Sequence, residues 1–152
     1  LKAQLTKKLV IANDHAGLQL KRSLMNNNKN IEWKDMGVFN ENISDYTEQA
    51  TILCRYILEQ KTATKENIFG VLICGSGQGM AMKANRFPHI RAALAWSEKN
   101  IALAREHNNA NVLCLGARLL SVEVANNILN TFISTPFKGG RHTERVYNLE
   151  RT

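Results

Sequence analysis

Apolar and polar positions along this chain follow two rhythms: short continuous apolar runs, and longer stretches whose apolar residues recur every three or four positions. The first run, Lys8-Leu9-Val10-Ile11-Ala12-Asn13, reads as a strand, and Leu18, Leu20, Leu24 and Met25 behind it read as a helix. Ile31-Glu32-Trp33-Lys34-Asp35-Met36 alternates as a second strand. Residues 46–60 follow as a helix with Ala50, Leu53, Ile57 and Leu58 on its inner face. Residues 68–74 form a continuously apolar third strand, and 79–85 a short helix. Ile90-Arg91-Ala92-Ala93-Leu94-Ala95-Trp96 is a fourth strand, and a helix capped by Ser97, with Glu98 in its first turn, runs from it to about residue 106. Residues 111–115 make a fifth strand, and Ser121 caps a helix whose apolar face carries Val124, Ile128, Leu129 and Phe132.

Five strands alternating with helices, several of them apolar on both faces, predict an α/β fold: a parallel sheet covered on both sides in a three-layer α/β/α sandwich. In such sheets ligands bind beyond the carboxyl ends of the strands, where loops enter helices. The residues at those ends are Asp14-His15, Cys74-Gly75-Ser76-Gly77, Trp96-Ser97 and Gly116-Ala117-Arg118. An acid, an imidazole, a thiol, a hydroxyl and a guanidinium are therefore expected on one rim. Past the last helix, Lys138-Gly139-Gly140-Arg141-His142-Thr143-Glu144-Arg145 spaces two arginines four apart. On a helix both would share a face, where one anionic group could engage the pair.

Composition narrows the setting. The 152 residues, 44% hydrophobic and 22% charged, fit a single domain over 1–152, with 1–7 as a loose N-terminal extension. No apolar run approaches the ~18 residues of a membrane span, and the first eight residues lack the apolar core of a signal peptide. A cytoplasmic protein with no membrane partner is expected. The net charge of +7 is spread over scattered basic residues with no aromatic-interleaved stripe, which argues against nucleic acid as a partner. Such an excess can still draw anionic substrates.

Three cysteines with no C-x-x-C pair and no histidine at zinc-ligand spacing support neither a disulfide framework nor a metal site. Cys54 and Cys114 read as small core hydrophobes. Cys74 ends a strand and opens the glycine loop Gly75-Ser76-Gly77-Gln78-Gly79. That loop is one residue short of a dinucleotide fingerprint, and no Gly-Lys-Ser/Thr follows as in a P-loop. Two readings stay open: a tight turn that permits close packing, or a cluster of amides able to hold an anion. Likewise Cys74 is either a buried strand-end thiol or one whose thiolate is favoured beside a helix N-terminus. His107 reads as a general acid just past a helix or as a surface histidine. His15, beside Asp14 on the rim, is more informative, whereas His89 and His142 show no comparable reason.

Six stretches in order, Asn13-Asp14-His15-Ala16-Gly17, Ser44-Asp45-Tyr46, Cys74-Gly75-Ser76-Gly77-Gln78-Gly79, Glu106-His107-Asn108-Asn109-Ala110-Asn111-Val112-Leu113, Gly116-Ala117-Arg118 and Gly139-Gly140-Arg141-His142-Thr143-Glu144-Arg145, resemble type B ribose-5-phosphate isomerases of the ribose/galactose phosphate isomerase family. The resemblance runs from about residue 8 to 145. It implies a Rossmann-like five-stranded parallel sheet in homodimers or dimers of dimers. The implied activity is interconversion of ribose 5-phosphate and ribulose 5-phosphate, in the non-oxidative pentose phosphate pathway, without metal or cofactor. By the same resemblance Cys74 would move a proton between C2 and C1, and amides of the Gly75, Gly77 and Gly79 loop would hold the enediolate oxygens. Asp14 and His107 would open the sugar ring. Ser76, Asn108 and Tyr46 would position the substrate, and His15, Arg118, Arg141 and Arg145 would bind its phosphate. His107, Asn108 and Arg118 would cross from a second subunit.

Two positions depart from the family pattern. Thr47 stands where many members have proline after the Asp-Tyr pair, and Ser76 where others have threonine. Alternative readings are a hexose 6-phosphate isomerase acting on allose or galactose phosphates, and a non-catalytic sugar-phosphate-binding regulatory module. The second would be expected to lack an acid or base, and none is missing.

Overall fold

The computed structural model describes residues 7–152. Of the expected N-terminal extension, residues 1–6 lie outside the described part. Lys7 is held in place: its carbonyl accepts the Glu32 amide at 2.9 Å and its Nζ reaches the Ile133 carbonyl at 2.9 Å.

Five parallel strands form the sheet: β1 (Lys8–Asn13), β2 (Glu32–Asp35), β3 (Phe69–Cys74), β4 (Ala92–Leu94) and β5 (Val112–Gly116), in the order β2-β1-β3-β5-β4. Among the described residues six α-helices cover it: α1 (Leu18–Asn27), α2 (Tyr46–Thr64), α3 (Gln78–Ala84), α4 (Glu98–Asn108), α5 (Val122–Ser134) and α6 (Arg141–Asn148). A short 3-10 turn, His15–Gly17, joins β1 to α1.

The strand residues sort by the period of two. Leu9, Ile11, Val71, Ile73, Leu113 and Leu115 pack on one face beneath Leu24 of α1, Ile101 of α4 and Phe132 of α5. Val10, Ala12, Leu72, Cys74, Val112 and Cys114 face the other way, beneath Leu53, Cys54 and Ile57 of α2 and Met80 and Ala84 of α3. Two apolar layers thus sandwich the three central strands β1, β3 and β5, which are buried on both sides as their sequences imply.

The pattern overreached in two places. The fourth strand pairs only over Ala92–Leu94, because Asn111 ties up the flanking Arg91 amide through its side chain and Trp96, 66% exposed, has already left the sheet. On α5 the buried stripe is Ala125, Ile128, Leu129 and Phe132, while Val124 is exposed. The Ser121 hydroxyl accepts the Val124 amide at 3.2 Å, and the helix so capped turns Ala125 toward the sheet.

Strand order decides where a site can form. From β1 the chain moves outward to β2, then returns to place β3 on the opposite side of β1, so the connections diverge above the β1/β3 pair. The crevice at such a divergence is where α/β sheets bind ligands. Asp14, just past the end of β1, and Cys74, the last residue of β3, flank it.

Candidate active site

Asp14 follows the last residue of β1 and caps the 3-10 turn, its Oδ1 accepting the Ala16 amide at 3.0 Å and the Gly17 amide at 3.3 Å. Its backbone amide donates to the Ile73 carbonyl at 3.1 Å, so the carboxyl group is fixed to both strands of the crevice. Among the described residues nothing donates to Oδ2, and Asp14 lines the cavity there.

Across the crevice, Cys74 is 5% exposed and its Sγ accepts the Gly77 amide at 3.1 Å. That bond needs the left-handed conformation of Gly77 (φ +77), where an added Cβ would stand 2.7 Å from Leu94 Cδ1 and 2.9 Å from the Leu115 carbonyl carbon. The Gly77 amide therefore serves the sulfur rather than standing free in the loop. The Gln78 amide bonds the Ser76 hydroxyl at 3.3 Å, while the Ser76 and Gly79 amides bond no acceptor among the described residues. Among the buried thiols of the core, burial pushes Cys54 up to about 12, and burial, then the neighbouring Cys54 and Cys74, hold Cys114 well above the usual range.

The cavity between these residues measures about 460 Å³ and is completed by Tyr46, Gly75, Ser76, Gly79, Arg118 and Leu119. Tyr46 opens α2, and its ring lies so close over Gly79 that a Cβ there would stand 2.6 Å from Cε2. Its place is secured by Asp45, whose Oδ1 accepts both the Thr47 amide and the Thr47 hydroxyl at 2.8 Å. Thr47 thus contributes two bonds to the helix cap where a proline would have no amide to give. Arg118 was expected from a second subunit. It stands instead in the same chain's cavity, with its amide donating to the Gly75 carbonyl at 3.0 Å and its Nη1 lying over Gly75.

His15 leaves this cavity for a neighbouring one of about 290 Å³. It is tied reciprocally to Ser44: the His15 amide donates to Ser44 Oγ at 2.9 Å, and His15 Nδ1 accepts the Ser44 amide at 3.2 Å. With Nδ1 an acceptor, the neutral ring carries its hydrogen on Nε2.

The remaining candidates collect at the opposite end of the sheet. His107 and Asn108 form the last turn of α4 rather than a loop beyond it. The chain from there enters β5 through Asn111, whose carbonyl accepts the amide of Gly70, near the start of β3, at 2.9 Å. Cys74 is four residues further along that strand, roughly 13 Å at ~3.3 Å per residue. Arg141 and Arg145 lie on α6, which packs on α4, and the intervening Lys138 pairs with Glu106 at 2.9 Å. His142 stacks on His107 with ring centroids 4.4 Å apart. One chain therefore carries two separate groups of candidate residues, Asp14, Tyr46, Cys74, Ser76 and Arg118 at one end and His107, Asn108, Arg141 and Arg145 at the other.

A larger hollow of about 590 Å³ lies between the β4 approach, α4 and the C-terminal residues, with Asn108 at its edge. It holds no thiol, histidine or paired acids, so the chemistry, rather than the volume, selects the cavity at Cys74.

The sequence profile of the Ribose/Galactose Isomerase family matches residues 9–149. The chain is similar to a solved ribose 5-phosphate isomerase of Thermotoga maritima at 42% identity and a TM-score of 0.89, the match covering 96% of this chain and 99% of that one. It is also similar to the ribose-5-phosphate isomerase B of Mycoplasma genitalium, solved with bound ribulose-5-phosphate, at 35% identity and a TM-score of 0.85 over 97% of each chain. The ribose-5-phosphate isomerase B of Escherichia coli K12 is 32% identical over 142 residues, which cover 92% of both proteins.

Proposed function

The chain belongs to the ribose/galactose isomerase family, and from that premise we propose that it interconverts D-ribose 5-phosphate and D-ribulose 5-phosphate through an enediolate, with Cys74 as the base. The observation that carries this reading is the cavity in which Cys74, the thiol that accepts an amide hydrogen bond, faces Asp14, Ser76 and Arg118.

Ring opening comes first. The O1 hydroxyl of the closed sugar gives its proton to Asp14, C1=O forms as the C1–O4 bond breaks, and His107 protonates O4. The Cys74 thiolate then takes the proton from C2. The electron pair moves through C2=C1 onto O1, and the Ser76 and Gly79 amides face that developing charge. Return of the proton to C1, with transfer of the hydroxyl proton from O2 to O1, yields the ketose. A positioned base typically contributes ~10²–10⁴ in rate and an oxyanion donor ~10²–10³. The phosphate, remote from C1 and C2, supplies binding energy that orients the reacting carbons.

Asp14 and Cys74 lie at one end of the chain and His107 at the other, so a complete site needs the second end from another copy. We assign the enzyme as a homodimer with two such sites. Arg118 then binds from the Cys74 side, and Arg141 and Arg145 from the partner. Sugar phosphates do not cross membranes unaided, so this reading places the enzyme in the cytoplasm, in the non-oxidative pentose phosphate pathway. Among the described residues no helix is long and apolar enough to cross a membrane.

Arg118 gives a local test. A methyl group at position 75 would stand 2.8 Å from Arg118 Nη1, the far end of a flexible side chain, so the fold can absorb it while the guanidinium is displaced. Gly75→Ala is expected to leave Tm within about 2 °C of wild type. Loss of a charge-assisted bond worth about 1.5–3 kcal/mol should raise KM for ribose 5-phosphate roughly tenfold or more. An unchanged KM would remove Arg118 from phosphate binding. Substrate choice is tested by kcat/KM on ribose 5-phosphate, allose 6-phosphate and galactose 6-phosphate side by side. The pentose is expected to be preferred, and a hexose preference would reassign the substrate within the family.

A further inference from the structure

His142 and His107 come from different helices, α6 and α4, yet their rings lie nearly parallel, 14° apart, with centroids at 4.4 Å. His142 is 8% exposed, buried by this contact and by the turn at Gly139, whose carbonyl accepts the His142 amide at 3.0 Å. Its ring forms no hydrogen bond with another described residue, so packing is what it gives to its neighbour. We propose that His142 is a positioning residue: its ring, stacked flat on the His107 imidazole, holds that group in the orientation from which it protonates the sugar ring oxygen.

The surroundings suit a neutral stacking partner. Desolvation pulls the His142 imidazole below its ordinary range, and the charges of His107, Arg141, Arg145 and Lys138 act in the same direction. Glu106, the acid on α4 beside this pair, is engaged by Lys138 at 2.9 Å, and Glu144 lies on α6. Two charged rings stacked at 4.4 Å would repel, which suits an uncharged His142. An uncharged ring against one face leaves the edge of His107 free to exchange a proton with the sugar. A stacked ring at this spacing restricts the His107 side chain to one orientation over its alternatives.

This proposal rests on the assignment of His107 to ring opening, and its test separates the two. His142→Ala is expected to lower kcat on ribose 5-phosphate up to about tenfold with KM within about threefold. Because ring opening then limits turnover, the deuterium isotope effect on kcat/KM with C2-deuterated ribose 5-phosphate should be no larger than the wild type's. His142→Phe, which keeps a flat ring at a position that makes no ring hydrogen bond, should restore kcat to within about threefold of wild type. Near-normal turnover by His142→Ala, an isotope effect larger than the wild type's, or a phenylalanine variant as slow as the alanine variant would each overturn it. A wild-type enzyme that does not turn over ribose 5-phosphate would instead remove the functional reading on which it stands.

Discussion

Cys74→Ala is expected to lower kcat on ribose 5-phosphate by about 10²–10⁴-fold, with KM and fold nearly unchanged. Nothing else in the cavity can replace the thiolate: Asp14 has one carboxylate oxygen engaged by the Ala16 and Gly17 amides, and the Ser76 hydroxyl is a far weaker base. The substitution removes one sulfur from a buried site and frees the Gly77 amide, so it should shift Tm by only a few degrees. KM should hold because Arg118 and Tyr46, which line the same cavity, are untouched. Cys54→Ala is the control. That thiol lies on the buried face of α2, where burial pushes it up to about 12, and its loss should cost stability without slowing turnover. Near-normal kcat in Cys74→Ala, measured on protein whose melting curve matches wild type, would transfer the base to another residue.

The second large effect is complementation between two inactive variants. Cys74→Ala disables one half-site and His107→Ala the other, and the two lie at opposite ends of β3 and β5. In a heterodimer of the two variants, one of the two shared sites combines both damaged halves and the other combines both intact ones. Co-expression with two different affinity tags and tandem purification isolates that species. Its activity should be about half that of the wild-type dimer, against near-background activity for either parent. If each site were built within one chain, every site in the heterodimer would carry a lesion and activity would stay at background.

Much of this arrangement was legible in the residues because it is local. Strand and helix identity follow from periodicity, and the alternation of Leu9 and Ile11 against Val10 and Ala12 already encodes the two core layers. The placement of Asp14 and Cys74 at strand ends follows from where apolar runs stop. Strand order is another matter, since it depends on which edges pair across the sheet. The position of β5 between β3 and β4, on which the separation of the two half-sites depends, has no signature in any single segment. Arg118 shows the same limit: its sequence neighbours Gly116 and Ala117 suggest the rim, but only the β3/β5 pairing puts its guanidinium over Gly75 of its own chain.

Nothing in the sequence marks His142, for a related reason. A ring that stacks without hydrogen bonds leaves no capping pattern and no charge pair to read, and its partner is thirty-five positions earlier on another helix. The glycine loop was half legible. Its closely spaced glycines allowed either packing or anion binding, and the structure divides the work: Gly77 adopts the left-handed turn that aims an amide at sulfur, while Gly79 makes room for Tyr46. Thr47 illustrates how a departure from a family pattern can leave geometry intact, because its amide and hydroxyl both secure the cap that a proline would supply by its fixed backbone angle.

The most direct test follows purified wild-type protein with ribose 5-phosphate and a chelator by NMR. The expected result is conversion to an equilibrium mixture containing ribulose 5-phosphate, at a rate proportional to enzyme. Persistence of the aldose, with no ketose formed by folded wild-type protein, would contradict the assignment of this chain as a ribose 5-phosphate isomerase.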